Sequence, residues 1–194
     1  MGDTIKRLQL YQIRDLALAS NRAVFSVQQL SNLIGKPRAI STVYLSRLVK
    51  KKLATRVMKG NISFVDDPFV IATQLVEPSY VSLDSALLFH GIIQQVPKAV
   101  ECVTSKNSLR YERLGIIYHK IPEKLFFGYQ RHTKSGSYVF VAEPEKAVVD
   151  GIYLNKYGKK ELKELMPKLN PVRLKALAKE FDGRGSRKIN AVIG

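Results

Sequence analysis

The feature that most constrains the fold is a pair of short helical segments joined by a tight turn. Ser26 is a good N-cap for the first helix, and Gly35 is well placed to end it. Apolar residues recur between them at helical spacing. The sequence Lys36-Pro37-Arg38 then forms a turn, and a second helix follows it. Because the connection is so short, we expect the two helices to pack against each other.

The second of these helices is amphipathic. Its apolar residues are Leu45, Leu48, Val49 and Leu53, at positions i, i+3, i+4 and i+8. With this stripe facing inward, most of the basic residues of the segment lie on the opposite side. Lys52 is the exception, because its position is nearer the buried stripe.

A β-hairpin is predicted directly after this helix. Thr55–Met58 and Ile62–Val65 are the two strands, and Lys59-Gly60-Asn61 connects them. Upstream, the pattern predicts a helix over about Thr4–Ala19 and a short extended segment at Val24-Phe25. This order of helices followed by a hairpin is that of a winged helix-turn-helix.

The charge of the chain is concentrated in the same region. The whole sequence has 32 Lys and Arg against 16 Asp and Glu, a net charge of +16 and a pI near 10.0. Residues 1–65 contain 12 of the basic and 2 of the acidic residues, a net +10. Such a field attracts polyanions, nucleic acid above all, with an acidic protein or an anionic membrane as lesser alternatives. A basic protein with no nucleic-acid role is a further alternative.

In a winged helix-turn-helix the second helix enters the major groove of DNA, and its early residues lie at base edges. Arg47 is the strongest candidate for a bidentate contact to guanine. Thr42 and Tyr44 are predicted to contact bases or phosphates, and the lysines mainly phosphates. The predicted DNA-binding residues are Arg38, Ser41, Thr42, Tyr44, Arg47, Lys50, Lys51, Arg56 and Lys59.

Two other interpretations of the basic segment are an ordinary solvated helix face and a sorting signal. A lone basic helix is most often an ordinary solvated face, but here a second helix precedes it and a glycine-turned hairpin follows. A sorting signal formed by Lys50–Lys52 is disfavoured because Leu48 and Leu53 beside it must be buried. Binding of double-stranded DNA is therefore the preferred hypothesis.

The acidic Asp66-Asp67-Pro68 segment is the predicted boundary between an N-terminal winged helix-turn-helix domain, residues 1–67, and an α+β domain with a helical tail, residues 68–194.

In the second domain, Ser82 and Pro144 are predicted to start helices. The predicted helices are Leu83–His90, Pro144–Leu154, Lys159–Leu165 and Pro171–Phe181, the last capped by Asn170. The predicted strands are near Val100–Val103, Ile116–Tyr118 and Tyr138–Val141, with turns at Asn107–Arg110 and Lys134–Gly136. The Gly-Arg-Gly-Ser run after Asp182 is predicted to be flexible.

No catalytic or cofactor-binding pattern is found in this part. The three histidines, His90, His119 and His132, have no carboxylate or cysteine at metal-ligand spacing. Glu143 and Glu145 fall in the first turn of a helix, where they complement its dipole, and Asp150 lies on a different side. No phosphate-binding glycine loop is present. We therefore expect no enzyme activity, no cofactor and no metal.

The remaining features concern the compartment. Cys102 is the only cysteine, so no intrachain disulfide forms, which suits a reducing interior. The N-terminus has no uninterrupted apolar segment typical of a signal peptide, and no run approaches the ~18 apolar residues of a membrane span. The expected location is the cytoplasm, without membrane association.

Four sequence blocks in the second part, together with the N-terminal pattern, resemble a known family. They are YVSLDSALLFHGII (Tyr80–Ile93), VPKAVECVTSK (Val96–Lys106), FFGY (Phe126–Tyr129) and VAEPEKAVVDGIYL (Val141–Leu154). In order and spacing they resemble the AbiEi family, the antitoxins and regulators of type IV, abortive-infection toxin–antitoxin systems. The likeness extends over roughly residues 5–175, and no match is found after about Phe181.

The resemblance implies a regulator with two functions. Its winged helix would bind repeats in its own promoter and repress the operon, with a homodimer on the DNA as one arrangement. Its C-terminal domain would counteract a cognate nucleotidyltransferase-like toxin, and direct contact with that toxin is left open. The alternatives are an RNA-binding or nucleic-acid-modifying protein that uses the winged helix to hold its substrate, and an interaction module with incidental charge.

Overall fold

The structure is a computed structural model that describes residues 9–193. It belongs to the mixed α+β class, because it is 49% helix and 21% strand and contains a mixed sheet. The chain divides into two compact units. The first comprises the described residues up to Leu75 together with Thr133–Tyr138. The second comprises Val76–His132 and the residues from Val139 onward.

The first unit combines helices with a small antiparallel sheet of strand order β1-β3-β2. Its elements are α1 (Leu10–Ala19), β1 (Val24–Ser26), α2 (Val27–Ile34), α3 (Arg38–Lys50), β2 (Thr55–Met58), β3 (Asn61–Ser63) and α4 (Pro68–Leu75). Their core consists of fully or almost fully buried apolar side chains from the helices and the hairpin, among them Ile13, Leu30, Leu45, Leu48 and Ile62.

The predicted α2 is confirmed at both ends. The Ser26 hydroxyl accepts a hydrogen bond from the Gln29 amide, and the Gln29 side chain accepts one from the Ser26 amide, at 3.2 and 2.8 Å. This reciprocal pair is a capping box. At the other end, Gly35 adopts a left-handed conformation with φ of 60°, which glycine tolerates without strain.

Two other predictions for the first unit have different outcomes. The predicted hairpin is present. The extended segment before α2 is strand β1, which pairs with β3 and extends the hairpin to a three-stranded sheet. The predicted start of the first helix at Thr4 lies outside the described residues; within them, α1 begins at Leu10.

The segment predicted as the domain boundary starts a helix that belongs to the first unit. The Asp67 carboxylate accepts hydrogen bonds from the amides of Phe69 and Val70, which caps α4. Within this unit the buried Gln74 accepts from the amides of Ala23 and Val24 at 2.8 and 3.0 Å. The compact unit therefore continues for eight residues beyond the predicted limit, to Leu75.

The second unit is built on a six-stranded mixed sheet of strand order β6-β7-β5-β4-β9-β8. The strands of this sheet are β4 (Ser79–Val81), β5 (Val100–Thr104), β6 (Leu109–Tyr111), β7 (Ile116–Lys120), β8 (Tyr129–Lys134) and β9 (Ser137–Ala142), and the ends of β8 and β9 within Thr133–Tyr138 belong to the first unit. Its helices are α5 (Leu83–Phe89), α6 (Pro144–Tyr153), α7 (Lys159–Leu165), α8 (Pro171–Lys179) and α9 (Gly183–Ile193). The pairs β4–β9 and β5–β7 are parallel, whereas β4–β5 and β6–β7 are antiparallel.

The helix α6 is the centre of this unit and packs against α5, α8 and α9. Pro144 is its first residue, as predicted. The predicted cap of α8 is also confirmed, because the Asn170 side chain accepts from the amides of Val172 and Arg173. Two carboxylates near the start of α6 accept hydrogen bonds from this region. Glu143 accepts from the Arg173 guanidinium of α8, and Glu145 accepts from the amide of Asn170.

Three local predictions for the second unit are wrong. The run after Asp182 forms the helix α9, because Ile189 is fully buried and Gly185 lies close to the ring of Tyr153, where a Cβ would be only 2.9 Å away. Ser82 precedes α5, but its hydroxyl makes no cap. Arg110, predicted in a turn, lies within β6. Among the described residues, no helix is both long and apolar enough to cross a membrane.

Candidate nucleic-acid interface

The turn between α2 and α3 is held by two serine hydroxyls. Ser31 donates to the Lys36 carbonyl at 2.6 Å, and Ser41 donates to the carbonyls of Lys36 and Pro37 at 3.3 and 3.1 Å. The side chain of Ser41 is fully buried. Ser41 was predicted to contact DNA, and this prediction is wrong. Its hydroxyl faces the turn, so Ser41 holds the start of α3 in place and does not contact a ligand.

Six of the predicted residues form an exposed set of cations, which we call the basic face. Its members are Arg38, Arg47 and Lys50 of α3, Lys51 at the C-cap of α3, Arg56 of β2 and Lys59 of the hairpin turn. Within residues 9–193 no carboxylate forms an ion pair with any of them. The sequence accounts for this, since residues 16–65 contain no Asp or Glu. The charge of the basic face is thus not neutralised within its own segment.

The two other predicted contacts and Lys52 differ in their positions. Thr42 is exposed, and its hydroxyl donates to the Arg38 carbonyl at 3.0 Å. Tyr44 is only 8% exposed and belongs to the core, although it also borders a surface groove together with Arg47. Lys52, expected nearer the buried side, is exposed at a positive φ of 56° because the helix has already ended.

Sequence reasoning missed three apolar residues on the outer side of α3. Ile40 is 40% and Val43 48% exposed, and Ala39 is exposed as well. They lie on the side of α3 opposite the buried Leu45 and Leu48. The sequence did indicate them, because they are apolar residues that fall outside the helical spacing of the buried stripe.

In the second unit the fold brings a histidine and a carboxylate together across parallel strands. His119 of β7 lies with Nε2 2.9 Å from Glu101 Oε1 of β5, and Lys156 Nζ lies 3.2 Å from the same oxygen. The hydrogen bond with His119 holds the pKa of Glu101 below its ordinary value. Glu101 also lines a cavity of about 350 Å³ with Asp84 and Lys98. No sequence spacing indicated this pair, because its members are 18 residues apart.

A second polar cluster of this unit is closed to solvent. Asp150 is fully buried and accepts hydrogen bonds from the hydroxyls of Tyr80 and Ser82, each at 2.9 Å, and forms an ion pair with Lys146. The Lys146 ammonium is also fully buried, 2.9 Å from the Tyr80 hydroxyl and about 5 Å from the ring centre of Phe127. Burial raises the pKa of Asp150 and lowers that of Lys146. With no exposed surface, the cluster has a structural role.

The described residues contain no group of three His, Cys, Asp or Glu side chains placed to bind a metal. Cys102 is fully buried in β5, and burial raises the pKa of its thiol. Compared with the His119–Glu101 pair and the buried Asp150 cluster, the basic face combines several exposed charges with a helix held in place by hydrogen bonds.

No family model matches the sequence of this chain, and no curated protein matches it significantly.

Proposed function

We propose that the chain is a DNA-binding regulator whose first unit acts as a winged helix-turn-helix. The observation that carries this proposal is the basic face: six exposed cations on α3, at its C-cap and on the hairpin that follows it, none of which forms an ion pair within residues 9–193. In this proposal α3 enters the major groove, and the β2–β3 hairpin is the wing. Lysines and arginines at the helix end and wing neutralise phosphates, which supplies affinity and register.

The arrangement of α2 and α3 supports this proposal. The capping box at Ser26 and the left-handed Gly35 define where α2 begins and ends. Ser31 and Ser41 then fix the turn through the Lys36 carbonyl, so the start of α3 is held by hydrogen bonds on its inner side. A helix held in this way keeps its outer side free for a ligand, with little conformational entropy left to lose on binding.

The second part of the proposal is that the chain is an antitoxin that represses its own operon and counteracts a cognate nucleotidyltransferase-like toxin. It rests on the resemblance of the four sequence blocks to the AbiEi family. The first and fourth blocks supply the buried cluster: Tyr80 and Ser82 come from one, Lys146 and Asp150 from the other. These blocks thus have structural reasons for their composition, and the proposed toxin-directed role belongs to the second unit as a whole.

The DNA-binding half is tested by gel-shift titration of the full chain on a duplex from upstream of its own operon and on an unrelated duplex of equal length. We expect tighter binding to the first. Arg47→Ala should relax this preference at a cost of about 1–3 kcal/mol if the guanidinium contacts a base edge. Lys59→Ala should weaken binding to both duplexes alike, because phosphates carry no sequence information. Lys163→Ala, on the exposed side of α7 in the second unit, is the matched control. Equal wild-type affinity for the two duplexes would refute the repressor function.

The antitoxin half is tested by co-expression with the product of the adjacent gene. We expect the chain to restore growth when that product is toxic. The same experiment with Arg47→Ala separates the two functions, since a variant defective in DNA binding should still rescue growth. Failure of the wild-type chain to rescue would remove the antitoxin assignment and leave DNA binding untouched.

The second candidate function is an RNA-binding or nucleic-acid-modifying protein, and the paired His119 and Glu101 beside a cavity favour it. A histidine oriented by a carboxylate is an arrangement used in acid–base catalysis. Incubation of the full chain with labelled RNA and DNA tests it. Product formation that disappears in His119→Ala would support this candidate, and unchanged substrate would exclude it for these substrates.

A further inference from the structure

The outer side of the first two turns of α3 carries three exposed aliphatic side chains. Val43 is four residues after Ala39 and three after Ile40, so the three side chains share one face of the helix. Ile40 is 40% and Val43 48% exposed, whereas Leu45 on the opposite side is 2% exposed. We call Ala39, Ile40 and Val43 the aliphatic patch.

Basic residues lie on both sides of this patch along the same helix. Arg38 is the first residue of α3, and Arg47 and Lys50 follow on the next turns toward its C-terminus. All three are exposed, and no acidic residue occurs anywhere in residues 16–65. A complementary partner therefore presents apolar groups at its centre and negative charge around them.

Duplex DNA matches this description at one kind of base pair. In the major groove, thymine presents a C5-methyl group, which side chains recognise by apolar contact, and phosphates border the groove on both sides. In helix-turn-helix proteins the N-terminal residues of the second helix are those that reach base edges. The aliphatic patch occupies these N-terminal positions, whereas Arg47 is one turn farther along.

On the basis of the DNA-binding function proposed above, we infer that Ala39, Ile40 and Val43 determine specificity by contacting thymine methyl groups. The preferred DNA site then contains A·T pairs whose methyl groups face the first two turns of α3. Arg47 contacts a neighbouring position, where a guanine is its best partner. Sequence choice thus depends on an apolar and a bidentate contact next to each other.

The experiment uses the full chain and a duplex enriched by it from a random-sequence pool. Each thymine of that duplex is replaced in turn by deoxyuridine, which removes only the C5-methyl group. At positions that face the patch we expect affinity to fall about fourfold, the effect of about 0.8 kcal/mol for one buried methyl-sized group. At other positions we expect no change.

Two variants assign the effect to the patch. Val43→Ala keeps a good helix former and should bind thymine and deoxyuridine duplexes with nearly equal affinity at the affected position. Ser46→Ala, on an exposed position of the same helix, should keep the full difference. A Val43→Ala variant that still distinguishes the two duplexes as the wild type does would overturn the assignment of Val43.

The outcomes separate this inference from the function on which it rests. Sequence-specific, salt-dependent binding that is unaffected by deoxyuridine at every position would overturn methyl recognition and leave DNA binding intact. Failure to enrich any duplex would overturn both. If deoxyuridine has no effect and Val43→Ala converts a dimer of the free chain into a monomer, the patch packs against a second copy instead.

Discussion

Replacement of Asp150 by alanine tests whether the buried polar cluster stabilises the second unit as an ion pair. The change leaves the Lys146 ammonium fully buried with only the Tyr80 hydroxyl as a hydrogen-bond partner. The hydroxyl of Ser82 loses its acceptor as well. Removing one partner of a buried pair costs about 3–5 kcal/mol, because the remaining charge is left uncompensated in a medium of low dielectric constant.

A double variant distinguishes lost charge compensation from lost packing. In Lys146→Met/Asp150→Ala the space vacated at position 150 is the same as in Asp150→Ala, but the unpaired ammonium is gone, so the free energy of unfolding should fall less than in Asp150→Ala alone. Aromatic rings around the Lys146 ammonium, including that of Phe127, offer an apolar environment for the methionine. If lost packing alone set the cost of Asp150→Ala, the double variant would be no more stable than the single one.

Urea denaturation followed by far-UV circular dichroism is the assay, since the chain contains no tryptophan for fluorescence. Lys175→Met, on an exposed position of α8, controls for the general effect of replacing a lysine. A loss below about 1 kcal/mol for Asp150→Ala would refute the account of a buried, compensated charge. So would a double variant that is less stable than the single one.

Three further changes test separate parts of the fold. Glu101→Gln should lower the free energy of unfolding at neutral pH. Because the folded-state pKa of Glu101 is depressed below 4.5, this difference should persist above about pH 5 and vanish as the pH falls through the folded-state value, as urea titrations across pH would show. Gly151→Ala should cost about 1–3 kcal/mol in thermal denaturation, since its Cβ would clash with the ring of Tyr157, and Gly158→Ala, with more room, is its control. Ser26→Ala should lower the free energy of unfolding by about 1 kcal/mol, because α2 loses its cap. Ser26→Thr should keep most of that stability, because threonine can cap the helix as well.

Local signals predicted much of the first unit correctly. The N-cap at Ser26, the stop at Gly35 and the turn before Arg38 depend on neighbouring residues, and each of them is present in the structure. The hairpin strand Thr55–Met58 is also as predicted. The pairing of β1 with β3 was not predictable, because nothing local relates Val24 to a residue almost 40 positions later.

Errors arose where tertiary packing overrides local preference. Glycines after Asp182 suggested flexibility, whereas Gly185 is needed for close approach to Tyr153 and Ile189 anchors the helix. Ser82 has the chemistry of a cap, but a buried carboxylate takes its hydrogen bond.

The candidate site shows the same limit. Spacing correctly predicted which cations of α3 are exposed, but it did not reveal that Ser41 faces the turn. The inward face of α3 includes Ser41 and Tyr44 beside the leucines, and that face leaves Ile40 and Val43 outside. Polar residues on the buried side and apolar residues on the exposed side are visible only when the helix is placed against its neighbours.

The central claim is that the basic face binds DNA phosphates, and the salt dependence of affinity tests it most directly. Each phosphate contact contributes about −0.9 to the slope of log affinity against log salt concentration. We predict that Lys50→Ala/Lys51→Ala makes the slope shallower by about 1.8 if each lysine contacts one phosphate. The double variant Lys159→Ala/Lys160→Ala, on exposed positions of α7, should leave the slope unchanged. An affinity independent of salt, or equal slopes for the wild type and the α3 variant, would contradict the account.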